Sequence, residues 1–193
     1  AGKTHTLVRR LDALMDGDEE ALEAREILVL SFSRAAVREL RERIALHAHR
    51  ARRVRVQTFD SWAYALLRSE QPGREWGVLR FDERIGEATE AILRGAVENS
   101  ESGAPSHVVI DEVQDLVGDR RDMVETLLDR FQDGCGFTVV GDGAQAIFGF
   151  QVSDEDARAA ETNYFFDWLR GSYPDDLVEL HLSANFRART EEA

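Results

Sequence analysis

Short apolar runs alternate along the chain with segments in which apolar positions recur every three or four residues. Residues 27–30, 108–110 and 137–140 form nearly continuous apolar runs that contain β-branched side chains. Such runs are typical of strands buried on both faces, as in parallel sheets covered by helices. Residues 54–59 and 177–182 alternate apolar and polar positions instead, which predicts strands nearer an edge of the sheet.

The segments between these runs have the spacing of amphipathic helices. Four apolar faces share this repeat, and they comprise Leu7, Val8, Leu11 and Leu14; Val37, Leu40 and Ile44; Ile85, Ala88, Ile92 and Leu93; and Val124, Leu127, Leu128 and Phe131. A further helix is predicted to begin at a capping box of Ser153 and Asp156 and to end at Gly171. Strands alternating with helices predict a three-layer α/β domain with a mostly parallel central sheet.

Residues 71–106 fit this alternation least well. They hold one helical pattern and end in a polar loop at residues 99–105. Because so short a segment cannot bury a core of its own, we interpret it as a short insertion or lid on a single domain spanning residues 1–193.

Composition and charge narrow the function classes. The 193 residues are 43% hydrophobic and 32% charged, as in a folded protein. No apolar run approaches the roughly 18 residues that span a bilayer, so we expect no membrane partner.

A single cysteine, Cys135, excludes an internal disulfide and fits a reducing cytoplasm. The net charge of −13 should repel nucleic acid overall, so contact with DNA is expected only in a local groove.

Gly2, Lys3 and Thr4 stand directly before the first helical pattern. At the end of a phosphate-binding loop, a lysine reaches the β- and γ-phosphates, and a threonine hydroxyl binds Mg²⁺. Three residues are only the end of that signature, so alone they do not establish a nucleotide site.

Two adjacent carboxylates, Asp111 and Glu112, follow the apolar run at residues 108–110. The carboxyl ends of parallel strands deliver side chains to the crevice where open α/β folds bind ligands. Asp111 is suited to hold Mg²⁺ through water, and Glu112 to orient and deprotonate an attacking water. A solvated acidic strand end is the alternative, but the combination with Lys3 and Thr4 favours an NTPase.

A glycine-rich turn follows the run at residues 137–140 and offers the amide of Gln145. An amide there can hydrogen-bond a γ-phosphate or its attacking water. Taken alone, the segment is equally well explained as a plain Gly-Asp-Gly turn.

Six segments in order resemble the first RecA-like core domain of the UvrD/Rep-type superfamily 1 DNA helicases. They are G-K-T at residues 2–4, residues 27–44, T-F-D-S-W at 58–62, D-E-V-Q-D at 111–115, V-G-D-G-A-Q-A-I-F-G-F at 140–150 and L-S-A-N-F-R at 182–187. The resemblance covers nearly the whole chain. It implies a RecA-like fold, ATP and Mg²⁺ as cofactors, and a parent enzyme that moves 3′→5′ along single-stranded DNA. It also implies a role in repair or recombination, in a bacterial cytoplasm and associated with the nucleoid.

The resemblance assigns roles to individual residues. Gly2, Lys3 and Thr4 would bind phosphates, with Thr4 and Asp111 on Mg²⁺ and Glu112 as the base. Gln145 would sense the γ-phosphate, Phe186 would stack on adenine, and Arg187 would reach the γ-phosphate. Single-stranded DNA would contact Ser31, Phe32, Arg34, Thr58, Phe59, Trp62 and Phe150. Core packing is the alternative for each of these aromatic rings.

Several positions depart from the family pattern. Arg34 precedes two alanines where the family has N-K-A, which moves a basic residue. Asp60 replaces a histidine and brings negative charge near the DNA path. Gln151 replaces an arginine that links the nucleotide and DNA sites, and residues 71–106 replace a larger accessory domain. A nucleotide-gated interaction module without unwinding activity is therefore the alternative function, and a helicase–nuclease fusion is a third.

Two parts of such helicases are not among these residues, namely the beginning of the phosphate loop and a second RecA-like domain. That second domain closes over ATP and supplies an arginine that stabilises the transition state. We therefore expect a fragment of a longer enzyme, with the second domain as its partner. Alone, it should be a poor ATPase and no helicase.

Overall fold

The computed structural model describes residues 2–17, 21–141 and 155–182. In this part of the chain four strands form one parallel sheet in the order β2-β1-β3-β4, with β1 at Ile27–Ser31, β2 at Arg55–Thr58, β3 at His107–Asp111 and β4 at Gly136–Val140. The α-helices are α1 Lys3–Leu14, α2 Arg34–His47, α3 Phe59–Glu70, α4 Phe81–Leu93, α5 Asp119–Arg130 and α6 Glu155–Ser172. None of the helices described is long and apolar enough to cross a bilayer.

Two cores lie on opposite faces of the sheet. Alternate residues of β1 and β3 supply each face, because successive side chains of a strand point in opposite directions. Ile27, Val29 and Val109 face the core that includes α1 and α2. Leu28 and Ile110 face the larger core that includes α3, α4, α5 and α6. This arrangement confirms the predicted three-layer α/β fold.

The second strand is shorter than its alternating pattern predicts. β2 ends at Thr58, and Phe59 begins α3 instead of continuing the strand. Thr58 is the N-cap of this helix, since its Oγ1 accepts the backbone N–H of Ser61 at 3.2 Å. A threonine in the N-cap position satisfies a helix donor that has no partner within the helix. The capping hydroxyl therefore ends the strand one residue early.

Residues 71–106 share the core of the domain. Trp76 is only 1% exposed, and its indole Nε1 donates to the carbonyl of Gln71 at 3.2 Å. Ile85 and Ile92 of α4 are fully buried in the larger core, which also contains α3 and α5. The segment thus contributes α4 to the layer of helices that covers one face of the sheet.

The prediction of a strand at residues 177–182 is wrong. Val178 and Leu180 are 78% and 84% exposed, and no ladder joins this segment to the described strands. Alternation sets which side chains share a face, but a strand also needs a neighbour that accepts its backbone hydrogen bonds. Helix α6 ends at Ser172, one residue past the predicted Gly171. Ser153, the predicted capping residue at the start of this helix, lies outside the described residues.

Candidate functional site

The N-terminus of α1 has the features of an anion-binding helix end. Gly2 is the N-cap and has φ 118°, a backbone conformation that residues with a Cβ rarely adopt. Lys3 and Thr4 are the first two residues of the helix, and both are half-buried. The first turn holds no acidic residue. Its backbone N–H groups and the positive end of the helix dipole therefore favour a bound anion.

Lys3 contacts the carboxylate that follows β3. Its Nζ lies 3.1 Å from Oε2 of Glu112, and both side chains are partly exposed, at 17% and 32%. These residues stand 109 positions apart in sequence, so the fold itself brings them together. Glu112 also accepts a hydrogen bond from Nε2 of Gln114, two residues further on.

Glu112 has an unusual backbone conformation. It has φ 57° and ψ 45°, and it is the only non-glycine residue with positive φ among those that the structure describes. Left-handed backbone costs a residue with a Cβ about 1–2 kcal/mol. The turn lets the chain leave β3 and enter the 3-10 turn Val113–Asp115 at once. The Glu112 side chain is thereby presented to Lys3.

Asp111, the last residue of β3, is buried, and the hydrogen bonds of its carboxylate are incomplete among the described residues. It is 4% exposed, and its Oδ1 has no hydrogen-bond partner among the described residues. Burial, followed by the charge of Glu112, raises the pKa of Asp111 to about 6, although the Glu112 backbone N–H and Lys3 act in the opposite direction. Hard divalent cations prefer carboxylate oxygens, often through water. The unpartnered oxygen of Asp111 therefore fits a Mg²⁺ ligand.

Gly141 brings the end of β4 against the same turn. A Cβ at this position would lie 2.3 Å from Cγ1 of Val113 and 3.2 Å from Oε1 of Gln114. Only glycine permits so close an approach of the two segments. Sequence reasoning assigned no role to Gly141 or Gln114, although both lie in quoted motifs, because their importance arises from this contact.

The structure brings part of the predicted nucleotide site together. Lys3 and Glu112 are in contact, Asp111 adjoins Glu112, and Thr4 follows Lys3 on the same helix turn. Four other predicted residues lie outside the described part of the chain: Gln145, Phe150, Phe186 and Arg187.

The residues predicted to contact DNA divide into buried and accessible groups. Four are buried, namely Ser31 at 0%, Phe59 at 1%, Thr58 at 7% and Trp62 at 8% exposure. Phe59 and Trp62 belong to the larger core. Phe32 is half-buried, and Arg34 is exposed at the start of α2. Of the described candidates, only Phe32 and Arg34 lie outside the buried group.

Comparison with known proteins identifies the family of the chain. The sequence model of the UvrD/REP helicase N-terminal domain matches the chain in two overlapping segments, residues 1–76 and 70–164. No curated protein matches significantly. Because the matched segments cover most of the 193 residues, the chain belongs to the UvrD/REP helicase N-terminal domain family.

Proposed function

We propose that this chain is the ATP-binding core of a DNA-dependent ATPase that translocates 3′→5′ on single-stranded DNA. Family membership carries the coarser statement, a helicase-type and ATP-dependent function. The contact between Lys3 Nζ and Glu112 Oε2 lies beside Asp111, whose Oδ1 has no hydrogen-bond partner among the described residues, and it supports ATP binding and hydrolysis. Dependence on DNA and the 3′→5′ direction rest on the resemblance to UvrD/Rep-type helicases. In this proposal Lys3 is the phosphate-binding cation, Asp111 the metal-binding carboxylate and Glu112 the base.

Each residue of this site has a distinct task in the proposed reaction. Lys3 and the first turn of α1 bind the phosphates, while Thr4 and Asp111 hold Mg²⁺, which neutralises phosphate charge when bound. Glu112 orients the attacking water and accepts its proton at a carboxylate oxygen. In the structure Glu112 forms an ion pair with Lys3. When Lys3 turns to the phosphates, the Glu112 carboxylate becomes available to the water.

Single-stranded DNA crosses the carboxyl edge of the sheet in this proposal. Phe32 offers a ring face for a base, and Arg34 offers a charge for a phosphate. A second RecA-like domain completes the nucleotide pocket and supplies the arginine that stabilises the transition state. The domain by itself therefore hydrolyses ATP poorly in this proposal. The physiological role of the whole enzyme is DNA repair or recombination.

A second candidate is an interaction module that binds ATP and a partner without unwinding DNA. The burial of Phe59 and Trp62 favours it, because two of the predicted stacking rings are in the core. Stimulation of ATPase activity by single-stranded DNA in the full-length protein separates the two functions. A translocase requires that stimulation, whereas a module does not.

The variant Glu112→Gln tests the proposed hydrolytic role. An amide keeps the size of the side chain but cannot accept the proton, so turnover should fall by about 10²–10⁴-fold. Binding of a fluorescent ATP analogue should remain, while Lys3→Ala should weaken it. Glu98→Gln is a matched control, because Glu98 pairs with Arg130 on the surface and should leave both quantities unchanged. Wild-type turnover in Glu112→Gln would remove this residue from catalysis.

A further inference from the structure

Arg120 joins three elements at the edge of the sheet where the DNA is proposed to pass. Its Nη2 lies 2.9 Å from Oδ1 of Asp60, in the first turn of α3. Its Nη1 lies 3.8 Å from Oδ1 of Asp82, in the first turn of α4. The guanidinium carbon also stands 5.7 Å from the centre of the Phe32 ring, just after β1. The Arg120 side chain is only 13% exposed.

The location of Arg120 is electrostatically unusual. It lies in the first turn of α5, where the helix dipole disfavours a cation. Asp60 and Asp82 hold it there, so the cluster of one cation and two carboxylates carries a net charge of −1. A phosphate group could take the place of a carboxylate here, because arginine forms bidentate hydrogen bonds with both groups and the helix N-terminus favours an anion. The cluster therefore contains a guanidinium that is suited to a phosphate and is paired with carboxylates in the structure.

We propose that Arg120 is a phosphate contact of the single-strand path and that Asp60 competes with the strand for it. This inference rests on the proposed DNA-dependent function. Asp60 holds the guanidinium beside the Phe32 ring. An arriving phosphate takes the guanidinium from Asp60. The acidic substitution at Asp60 thus sets the affinity for DNA without abolishing it.

This competition predicts opposite effects for the two partners of one ion pair. Asp60→Asn removes the competitor and one repelling charge. A unit charge at about 6 Å in water corresponds to about threefold tighter binding of single-stranded DNA. Arg120→Gln removes a phosphate contact, so binding should weaken about tenfold, and the slope of log K against log salt should fall in magnitude by about 0.7. A purely structural ion pair would instead weaken binding in both variants.

The experiment measures fluorescence anisotropy of a labelled oligothymidylate with the full-length protein over a series of salt concentrations. Arg130→Gln is the matched control, because it makes the same change at the opposite end of α5, where Arg130 pairs with Glu98. That variant should keep the wild-type slope. The double variant Asp60→Asn/Arg120→Gln lacks both the phosphate contact and the repelling charge, so its affinity should lie between those of Arg120→Gln and the wild type. Thermal unfolding by circular dichroism verifies that each variant is folded.

The outcomes distinguish this inference from the proposed function. Wild-type protein that binds no oligothymidylate would overturn both. Wild-type binding with an unchanged salt slope in folded Arg120→Gln would overturn the role of Arg120 alone. Weaker binding by folded Asp60→Asn would show that Asp60 supports the strand path and would overturn the competition. Where Arg120→Gln does not fold, Asp60→Asn still decides, because its predicted gain in affinity is not a consequence of lost structure.

Discussion

Replacing Asp111 by Asn should stabilise the domain while impairing its proposed metal-dependent function. The Asp111 carboxylate is buried, adjoins Glu112 and has an oxygen without a hydrogen-bond partner among the described residues. Its charged form is therefore poorly accommodated when no cation is bound. Asparagine has nearly the same shape and carries no charge, so it removes this cost without opening a cavity.

The magnitude follows from the pKa of Asp111, which rises from 3.8 to about 6 in the folded domain. Because the pKa is raised, the folded state binds the proton more tightly than the unfolded state does. The favourable contribution is complete below pH 3.8 and is lost as the pH rises through about 6. Two pKa units correspond to about 3 kcal/mol, so Asp111→Asn should gain about that much near pH 7.5 and about 1.5 kcal/mol near pH 5.

Urea unfolding followed by circular dichroism, without Mg²⁺ or nucleotide, measures this difference at each pH. The exposed Asp119 at the start of α5 provides the control, and Asp119→Asn should show no comparable gain. Mg²⁺ with an ATP analogue should stabilise the wild-type domain more than Asp111→Asn. A variant that is no more stable than wild type near pH 7.5, or a gain that does not vary with pH, would refute the reasoning.

Two further predictions concern the neighbouring strands. Burial, followed by the charge of Arg10, lowers the pKa of His107 to about 4, so His107 should destabilise the fold by up to about 3 kcal/mol as the pH falls from 6.5 towards 4. If the free energies of unfolding of wild type and His107→Gln, measured with urea, changed equally with pH over that range, the prediction would be contradicted. Gly141→Ala should cost about 1–3 kcal/mol and weaken binding of an ATP analogue, because the added Cβ collides with Val113. The control Gly86→Ala, with open space around its Cβ, should not be destabilised, and equal stability of both alanine variants would refute the predicted collision.

Sequence patterns predicted the layers of the fold well because burial determines them. The apolar runs at residues 27–30, 108–110 and 137–140 correspond to β1, β3 and β4, and the helical faces correspond to helices. The patterns were less informative where pairing or capping decides the structure. Residues 177–182 alternate without forming a strand, and Thr58 caps α3 where the alternating pattern continues to Phe59.

The candidate site was predictable to the extent that strand order brings strand ends together. The pairing of Lys3 with Glu112 follows from a helix start and a strand end meeting at one edge of the sheet. The surroundings of single side chains were not predictable in this way. Trp62 stands in a motif associated with DNA, yet its helix turns it into the core. Arg120 lies in no recognisable motif, and its partners are 60 and 38 residues away in sequence.

The features at this edge of the sheet share one physical property, which is that each lowers the stability of the domain without ligand. Glu112 adopts a left-handed backbone, Asp111 buries a poorly compensated charge, and Arg120 places a cation at a helix N-terminus. Such costs persist in a fold only when the rest of the structure outweighs them, and here two cores flank the sheet. A cation on Asp111 and phosphates on Lys3 and Arg120 would relieve the electrostatic costs at these residues. Binding of ATP, Mg²⁺ or DNA should therefore raise the free energy of unfolding through the residues proposed to contact these ligands.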